Sequence, residues 1–139
     1  MINLKNYIIE SIFDIEDNID NMDESIREEI KHFLKDNFKT NSTYQISKKP
    51  NKEGKFEVLV NGNVEVKDKN LTSLTNDIFI WTNIKGNFIC DYCNSLTSLE
   101  GAPKEVGGDF YCRNCKGEFI EEDVKKVSNV KGMIYLWKI

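Results

Sequence analysis

Residues 84–99 read IKGNFICDYCNSLTSL, and three other stretches of the chain fall on the same pattern. They are VNGNVEVKDKNLTSL at 60–74, VGGDFYCRNCKGEF at 106–119 and VKGMIYLWKI at 130–139. Aligned on Gly62, Gly86, Gly108 and Gly132, the units follow one another at 24, 22 and 24 residues. Each opens with a β-branched residue, one further residue and the glycine, and then alternates with period two; two units run on into Leu-Thr-Ser-Leu. A unit this small cannot bury an apolar face alone. A repeat of about this length, with one strand and leucines per unit, stacks into a solenoid.

The register of that solenoid follows from the pleat, because alternate residues of a strand face opposite sides. Val64/Val66, Phe88/Cys90, Phe110/Cys112 and Ile134/Leu136 fall on one side, and all are apolar or sulfur-bearing, so this side is the core. The other side carries Asn63/Glu65/Lys67, Asn87/Ile89/Asp91, Asp109/Tyr111/Arg113 and Met133/Tyr135/Trp137. It begins polar and becomes aromatic. Tyr, Trp and Arg dominate the energy of protein interfaces, which makes Ile89, Tyr111, Arg113, Tyr135 and Trp137 the candidate partner-binding residues.

Four cysteines form two Cys-x-x-Cys pairs, Cys90/Cys93 and Cys112/Cys115, with eighteen residues between them. That spacing is the one at which four thiolates hold a tetrahedral zinc ion. The repeat argues for another use. Cys90 and Cys112 take the positions that Val66 and Leu136 hold in the outer units, as small hydrophobes would. Cys93 and Cys115 align with Lys69, at a corner where a side-chain ladder can bond the backbone of neighbouring coils. Core and ladder is therefore the preferred reading and no metal or other cofactor is favoured. A zinc site made of all four cysteines is the alternative, with a redox dithiol behind it.

Residues 1–39 read as a helical segment and residues 40–139 as a β-hairpin followed by the repeat domain. Leu4, Ile8, Ile12 and Ile15 recur at near-helical spacing before an acidic stretch of Asp14, Glu16, Asp17 and Asp20, which reads as a solvated face. Ser25 and Glu28 suit a capping box for a second helix, whose stripe is Ile26, Ile30, Phe33, Leu34 and Phe38. That stripe is expected either to cover the aromatic sheet face or to close the N-terminal end of the solenoid. His32 lies beside the stripe as a boundary residue. Thr43–Ser47 and Lys55–Val60 flank the turn signal Pro50–Gly54 as a hairpin.

The string from Cys93 to Leu136, with its core LTSLEGAPKEVGGDFYC, resembles the leucine-rich-repeat-like proteins common in tailed phages and prophage-bearing bacteria. The resemblance covers about residues 56–139. It implies an α+β fold: N-terminal helices, a short leucine-rich-repeat-like β-solenoid, a helical cap at Glu121–Val127 and a last strand at Lys131–Leu136. The chain departs from the family pattern in having few units and in Lys116–Phe119 standing where a second Leu-Thr-Ser-Leu belongs. The resemblance implies no enzymatic activity. Separately, MINLKNYIIE followed by Ser11 resembles the capsid-targeting segments of internal proteins in T-even-type phages, which implies proteolytic processing after Glu10.

Composition bounds the remaining functions. The 139-residue chain has a net charge of −4, so no basic footprint invites a nucleic-acid backbone. No apolar run reaches the roughly 18 residues of a membrane span, and the N-terminus does not read as a secretory signal. Localisation in a host cytoplasm, or packaging in a phage capsid, is expected. Phosphate-binding loops, zinc-protease helices and nucleophile elbows are all missing, and one histidine serves the whole chain, so an enzyme is not expected. The leading expectation is a protein-binding module acting on a host protein, such as a defence component. A zinc-ribbon-like protein contacting nucleic acid or the transcription machinery, and a structural or packaged virion protein, are the alternatives. The aromatic patch would also serve self-association.

Overall fold

A computed structural model describes residues 4–40 and 42–138, with side chains described from Asp20 onward. Helix α1 (Leu4–Asn37) leads into β1 (Phe38–Thr40) and β2 (Tyr44–Ile46). Four two-strand rungs follow: β3 (Phe56–Val60) with β4 (Val64–Val66), β5 (Phe79–Ile84) with β6 (Phe88–Ile89), β7 (Glu105–Val106) with β8 (Phe110–Tyr111), and β9 (Asn129–Val130) with β10 (Ile134–Tyr135). Helix α2 (Glu121–Val127) lies between the third and fourth rungs. The first strands of the rungs stack into one parallel sheet and the second strands into another, making a β-solenoid of about three turns.

The expected register holds coil by coil. Val64 pairs with Phe88, Phe88 with Phe110 and Phe110 with Ile134, while Glu65, Ile89, Tyr111 and Tyr135 form the adjacent outward row. Val64, Val66, Phe88, Cys90, Phe110 and Cys112 are buried; Ile134 and Leu136 are half-buried against the same core. The first sheet was read only in part. Beyond the β-branched residue that opens each unit, the run Phe79–Ile84 carries the aromatic and β-branched signal of a strand, and Phe79, Trp81 and Ile84 bury into the core.

The glycines mark the corner between the two strands of a rung, where successive coils touch backbone to backbone. Gly86 N–H donates to Gly62 O at 3.1 Å, Gly108 to Gly86 at 2.9 Å and Gly132 to Gly108 at 2.9 Å. A Cβ on Gly86 would lie 2.2 Å from Asn63 Oδ1 and 2.8 Å from the Gly62 carbonyl carbon, so no larger residue fits. The side chain that follows each glycine completes the corner. Asn63 Oδ1 accepts from Asn87 N–H at 2.8 Å, Asn87 Oδ1 from Asp109 N–H at 2.7 Å, and Asp109 Oδ1 from Met133 N–H at 2.7 Å. This is an inter-coil ladder, and it runs through Asn and Asp one residue after the glycine. The fourth coil carries Met133 at that position, and the ladder stops there.

The N-terminal end is closed twice. Strand β1 lies antiparallel on β4, and β2 lies antiparallel on β3 as the hairpin reading requires. Against them packs one continuous helix, where two helical segments were expected. Ile30 and Leu34 are buried, and Phe33 meets Phe38 and Phe79 at ring centroid distances of 6.0 and 5.8 Å. Phe38 in turn meets Trp81 edge-on at 5.0 Å. The apolar stripe therefore covers the first coils of the core, and among the described residues its contacts lie there and not on the aromatic sheet face. Phe38 continues the helical spacing in sequence, yet belongs to β1. Its side chain reaches the same core from a strand, because pairing with Val66 fixes it there.

Helix α2 matches its expected span. Its first turn holds Glu121, Glu122 and Asp123, and the Asp123 carboxylate accepts from Ile120 N–H at 2.9 Å. Val124 is its buried anchor. It precedes the last coil and does not cap the end of the stack.

Candidate functional site

The outward row of the second-strand sheet is an ordered surface of charges and rings. Tyr111 and Tyr135 occupy equivalent positions on β8 and β10, and the coil spacing stacks their rings 4.7 Å apart at 14°. Two residues further on, the alternation that faces Tyr111 outward also faces Arg113 outward. The Arg113 guanidinium sits 5.0 Å from the centroid of Tyr111 and 5.2 Å from that of Trp137, so a cation lies between two π faces.

What holds the guanidinium there is Asp91, its equivalent one coil earlier. Arg113 Nη2 and Nε donate to Asp91 Oδ2 at 2.6 and 3.1 Å, and the Arg113 backbone N–H donates to Asp91 Oδ1 at 2.7 Å. Asp91 is buried, one of two polar residues so placed among those described, and its hydrogen bonds hold the Arg113 guanidinium above its ordinary range. Tyr111 OH donates to Asp109 Oδ2 at 3.3 Å, joining the rings to the corner ladder. Ile89, Tyr111, Arg113 and Tyr135 are half-buried, and Trp137 is 51% exposed. All five candidate residues therefore share one face, each in contact with its row neighbours or one coil away. Asp91 was not singled out from sequence. Its signal was an acid in register with a base 22 residues later, on adjacent coils.

The four cysteines are all buried, and none forms a disulfide. They form a column along the coil axis. Cys90 Sγ donates to Tyr111 O at 3.2 Å, Cys93 Sγ to Asp91 O at 3.8 Å and Cys115 Sγ to Cys90 O at 3.0 Å. Cys112 Sγ lies 2.9 Å from Cys115 Sγ. At their aligned corner, Lys69 Nζ donates to Val66 O at 2.7 Å and to Asp91 O at 2.9 Å. Cys115 thus joins neighbouring coils as a ladder residue does, while Cys93 bonds within its own coil. Each knuckle turns through a left-handed residue, Tyr92 at φ 57° and Asn114 at φ 56°.

Burial, reinforced by Cys112 and Cys115, pushes the Cys90 thiol well above its ordinary range. Contact with the Cys112, Cys90 and Cys93 thiols shifts Cys115 down, and Cys115 in turn pushes Cys93 and Cys112 up. The four thiols therefore titrate as one coupled group. Two sulfurs bound to one tetrahedral zinc stand roughly 3.8 Å apart, given Zn–S bonds near 2.3 Å. The Cys112–Cys115 distance is well short of that. Among the described residues, no group of three or more His, Cys, Asp or Glu side chains is arranged to hold a metal ion.

His32 is exposed on α1 beside Lys31, Lys35 and Lys39, far in sequence from any cysteine. Among the described residues no helix is long and apolar enough to cross a membrane. The processing site expected after Glu10, and the carboxylates of Asp14, Glu16 and Asp17, fall outside the residues whose side chains are described. In comparisons with family models, with curated proteins and with solved structures, the chain matches none.

Proposed function

We propose that this chain is a non-enzymatic protein-binding module whose partner docks on the outer face formed by Ile89, Tyr111, Arg113, Tyr135 and Trp137. The observation that carries this reading is the fixed guanidinium: Arg113 is gripped by Asp91 from within and flanked by Tyr111 and Trp137. Long side chains normally lose about 0.5–1.5 kcal/mol each when an interface immobilises them. Here much of that ordering precedes binding. Rings that present both an apolar body and a polar tip are the anchors such interfaces use.

The resemblance to leucine-rich-repeat-like phage proteins supports a phage origin and action in a host cytoplasm on a host factor, a defence component being the leading class. Acidic net charge disfavours direct contact with nucleic acid, and the repeat positions that Cys90 and Cys112 share with Val66 and Leu136 favour a core role for the cysteines over a zinc-ribbon one. The test is site-directed photo-cross-linking. A cross-linking residue at exposed Met133, beside the face, should trap a partner that the same residue at Glu105, on the other sheet, does not. Alanine at Tyr111, Tyr135 or Trp137 should abolish the adduct. An adduct that survives all three substitutions would sink the surface assignment.

A further inference from the structure

A second cluster of charge lies at the other end of the fold, where α1 meets the first coil. Arg27, Lys31 and Lys35 recur every four residues along α1 and so share one side of the helix. His32 stands beside them, Lys39 lies on β1, and Lys67 follows β4. The fold gathers these residues. Strand β1 pairs with β4, and Lys67 N–H donates to Asn37 O at 2.8 Å. Lys31, His32, Lys35, Lys39 and Lys67 then line a cavity of about 460 Å³ together with Phe38, Thr40 and Tyr44. Lys31 and Tyr44 also line an adjoining cavity of about 260 Å³, where Arg27 joins them.

Structural duties account for only part of this charge. Lys35, the basic residue of the last turn, complements the helix dipole, and Lys67 Nζ donates to Lys35 O at 2.7 Å. Lys31 pairs with Glu28 at 2.8 Å, and Glu28 is the one carboxylate lining either cavity. Among the described residues no ion pair engages Arg27, His32, Lys35 or Lys39. Arg27 Nε is moreover buried without a hydrogen-bond partner. The chain as a whole is acidic, at −4, so this is a local concentration of cations and not the overflow of a basic protein.

Lysine ammonium groups are mobile point charges that suit phosphate oxygens. Phe38 and the Tyr44 ring add apolar surface for the body of a ligand, and the main cavity has the volume of a small-molecule site. A long polyanion meets the net negative charge of the whole surface. A ligand inside the recess answers chiefly to charges within a Debye length, about 8 Å at physiological salt. We infer that this recess binds a small organic phosphate of nucleotide size. Lys31, Lys35 and Lys39 hold its phosphates, its body packs on Tyr44, and Arg27 contributes from the adjoining cavity. The site shares no residue with the aromatic face and does not rest on the partner-binding reading.

The test is isothermal titration calorimetry on the full chain at matched ionic strength, with ATP, inorganic tripolyphosphate and a short single-stranded DNA as probes. ATP should bind with a Kd below about 1 mM, and at least about fivefold tighter than tripolyphosphate, which carries the charge without the body. Lys39→Gln and Arg27→Met should each weaken ATP about tenfold, as loss of a charged hydrogen bond does. Lys125→Gln, on α2, should leave it unchanged. Should Arg27→Met fail to fold, Lys39→Gln decides, because Lys39 is exposed on β1. No heat with ATP, tripolyphosphate binding as tightly as ATP, the DNA binding more tightly than ATP, or equal losses in Lys39→Gln and Lys125→Gln would overturn the inference.

Discussion

Asp91 serves Arg113 with both of its oxygens: Oδ1 takes the backbone N–H at 2.7 Å, and Oδ2 takes the guanidinium through Nη2 at 2.6 Å and Nε at 3.1 Å. One carboxylate thereby joins two coils and orients the cation between two rings. The backbone bond belongs to the fold and the side-chain bonds belong to the face. A single residue couples the integrity of the solenoid to the shape of its outer surface.

That division makes Asp91 separable by substitution. Asp91→Ala strands the half-buried Arg113 backbone N–H, at a cost toward the lower end of about 1–3 kcal/mol, and frees the guanidinium. Asp91→Asn keeps the Oδ1 acceptor and should lose well under half as much. Urea denaturation should rank wild type above Asn above Ala. Arg113→Ala, which leaves Asp91 Oδ1 on its backbone partner, should cost less than Asp91→Ala. Equal losses for all three variants would mean that the backbone bond contributes nothing.

Gly86 and Gly54 are both glycines for physical reasons, but different ones. An added methyl at Gly86 meets Asn63 Oδ1 at 2.2 Å and backbone of the previous coil at 2.8 Å, so Gly86→Ala must push two coils apart. Overpacking of this kind costs about 1–3 kcal/mol. Gly54 has open space around it and a φ of +80°, so Gly54→Ala meets only left-handed strain of about 1–2 kcal/mol. Asn, which tolerates that conformation, should recover part of the loss at Gly54 and none at Gly86. Thermal melts of the four variants would check this.

The solenoid was legible because its two signals are local: a glycine every twenty-odd residues and a strict alternation after it. Both survive without knowledge of the partner coil. Phe38 shows where this stops. At i+12 from Ile26 it extends the helical stripe, and only its pairing with Val66, distant in sequence, makes it a strand residue. The second ladder, at the glycine corner, is illegible in sequence for a related reason. Asn63, Asn87 and Asp109 look like ordinary polar residues on an outward strand, and their bonds to the next coil's N–H groups appear only once the coils are stacked. The five face residues follow from alternation alone. Asp91, buried beneath them, does not, since sequence gives its side of the strand and not its depth.

The cysteine column should make stability fall at alkaline pH. Burial raises the Cys90 thiol well above its ordinary value of 9.0. A raised acid is protonated in the folded state where the unfolded chain has released its proton. Its contribution is therefore complete below about pH 9 and is lost as pH climbs beyond that. Each such thiol accounts for about 1.4 kcal/mol per pH unit in that window. Cys90→Val, which copies the Val66 position, should cost under about 1.5 kcal/mol at pH 7 and fall less steeply than wild type above pH 9. Parallel slopes for the two proteins would show that Cys90 ionises freely in the folded chain.

The two tryptophans give the outer face a spectroscopic handle. Trp81 is 2% exposed in the first-strand sheet, while Trp137 is 51% exposed with Arg113 against its ring. Iodide should quench one emitting population and leave the other untouched, and Trp137→Phe should abolish the quenchable part. Because Trp137 is a surface residue, that substitution should change stability by no more than about 0.5 kcal/mol. The stacked cation also predicts an effect on the quenching itself. Arg113→Ala removes both the local positive charge that attracts iodide and the group that shields one ring face, whereas quenching by neutral acrylamide responds to shielding alone. Acrylamide quenching of Trp137 should therefore rise in Arg113→Ala, and iodide quenching should rise less or fall. If both quenchers respond equally, Arg113 does not sit over Trp137 in solution, and the fixed guanidinium on which the binding reading depends is lost with it.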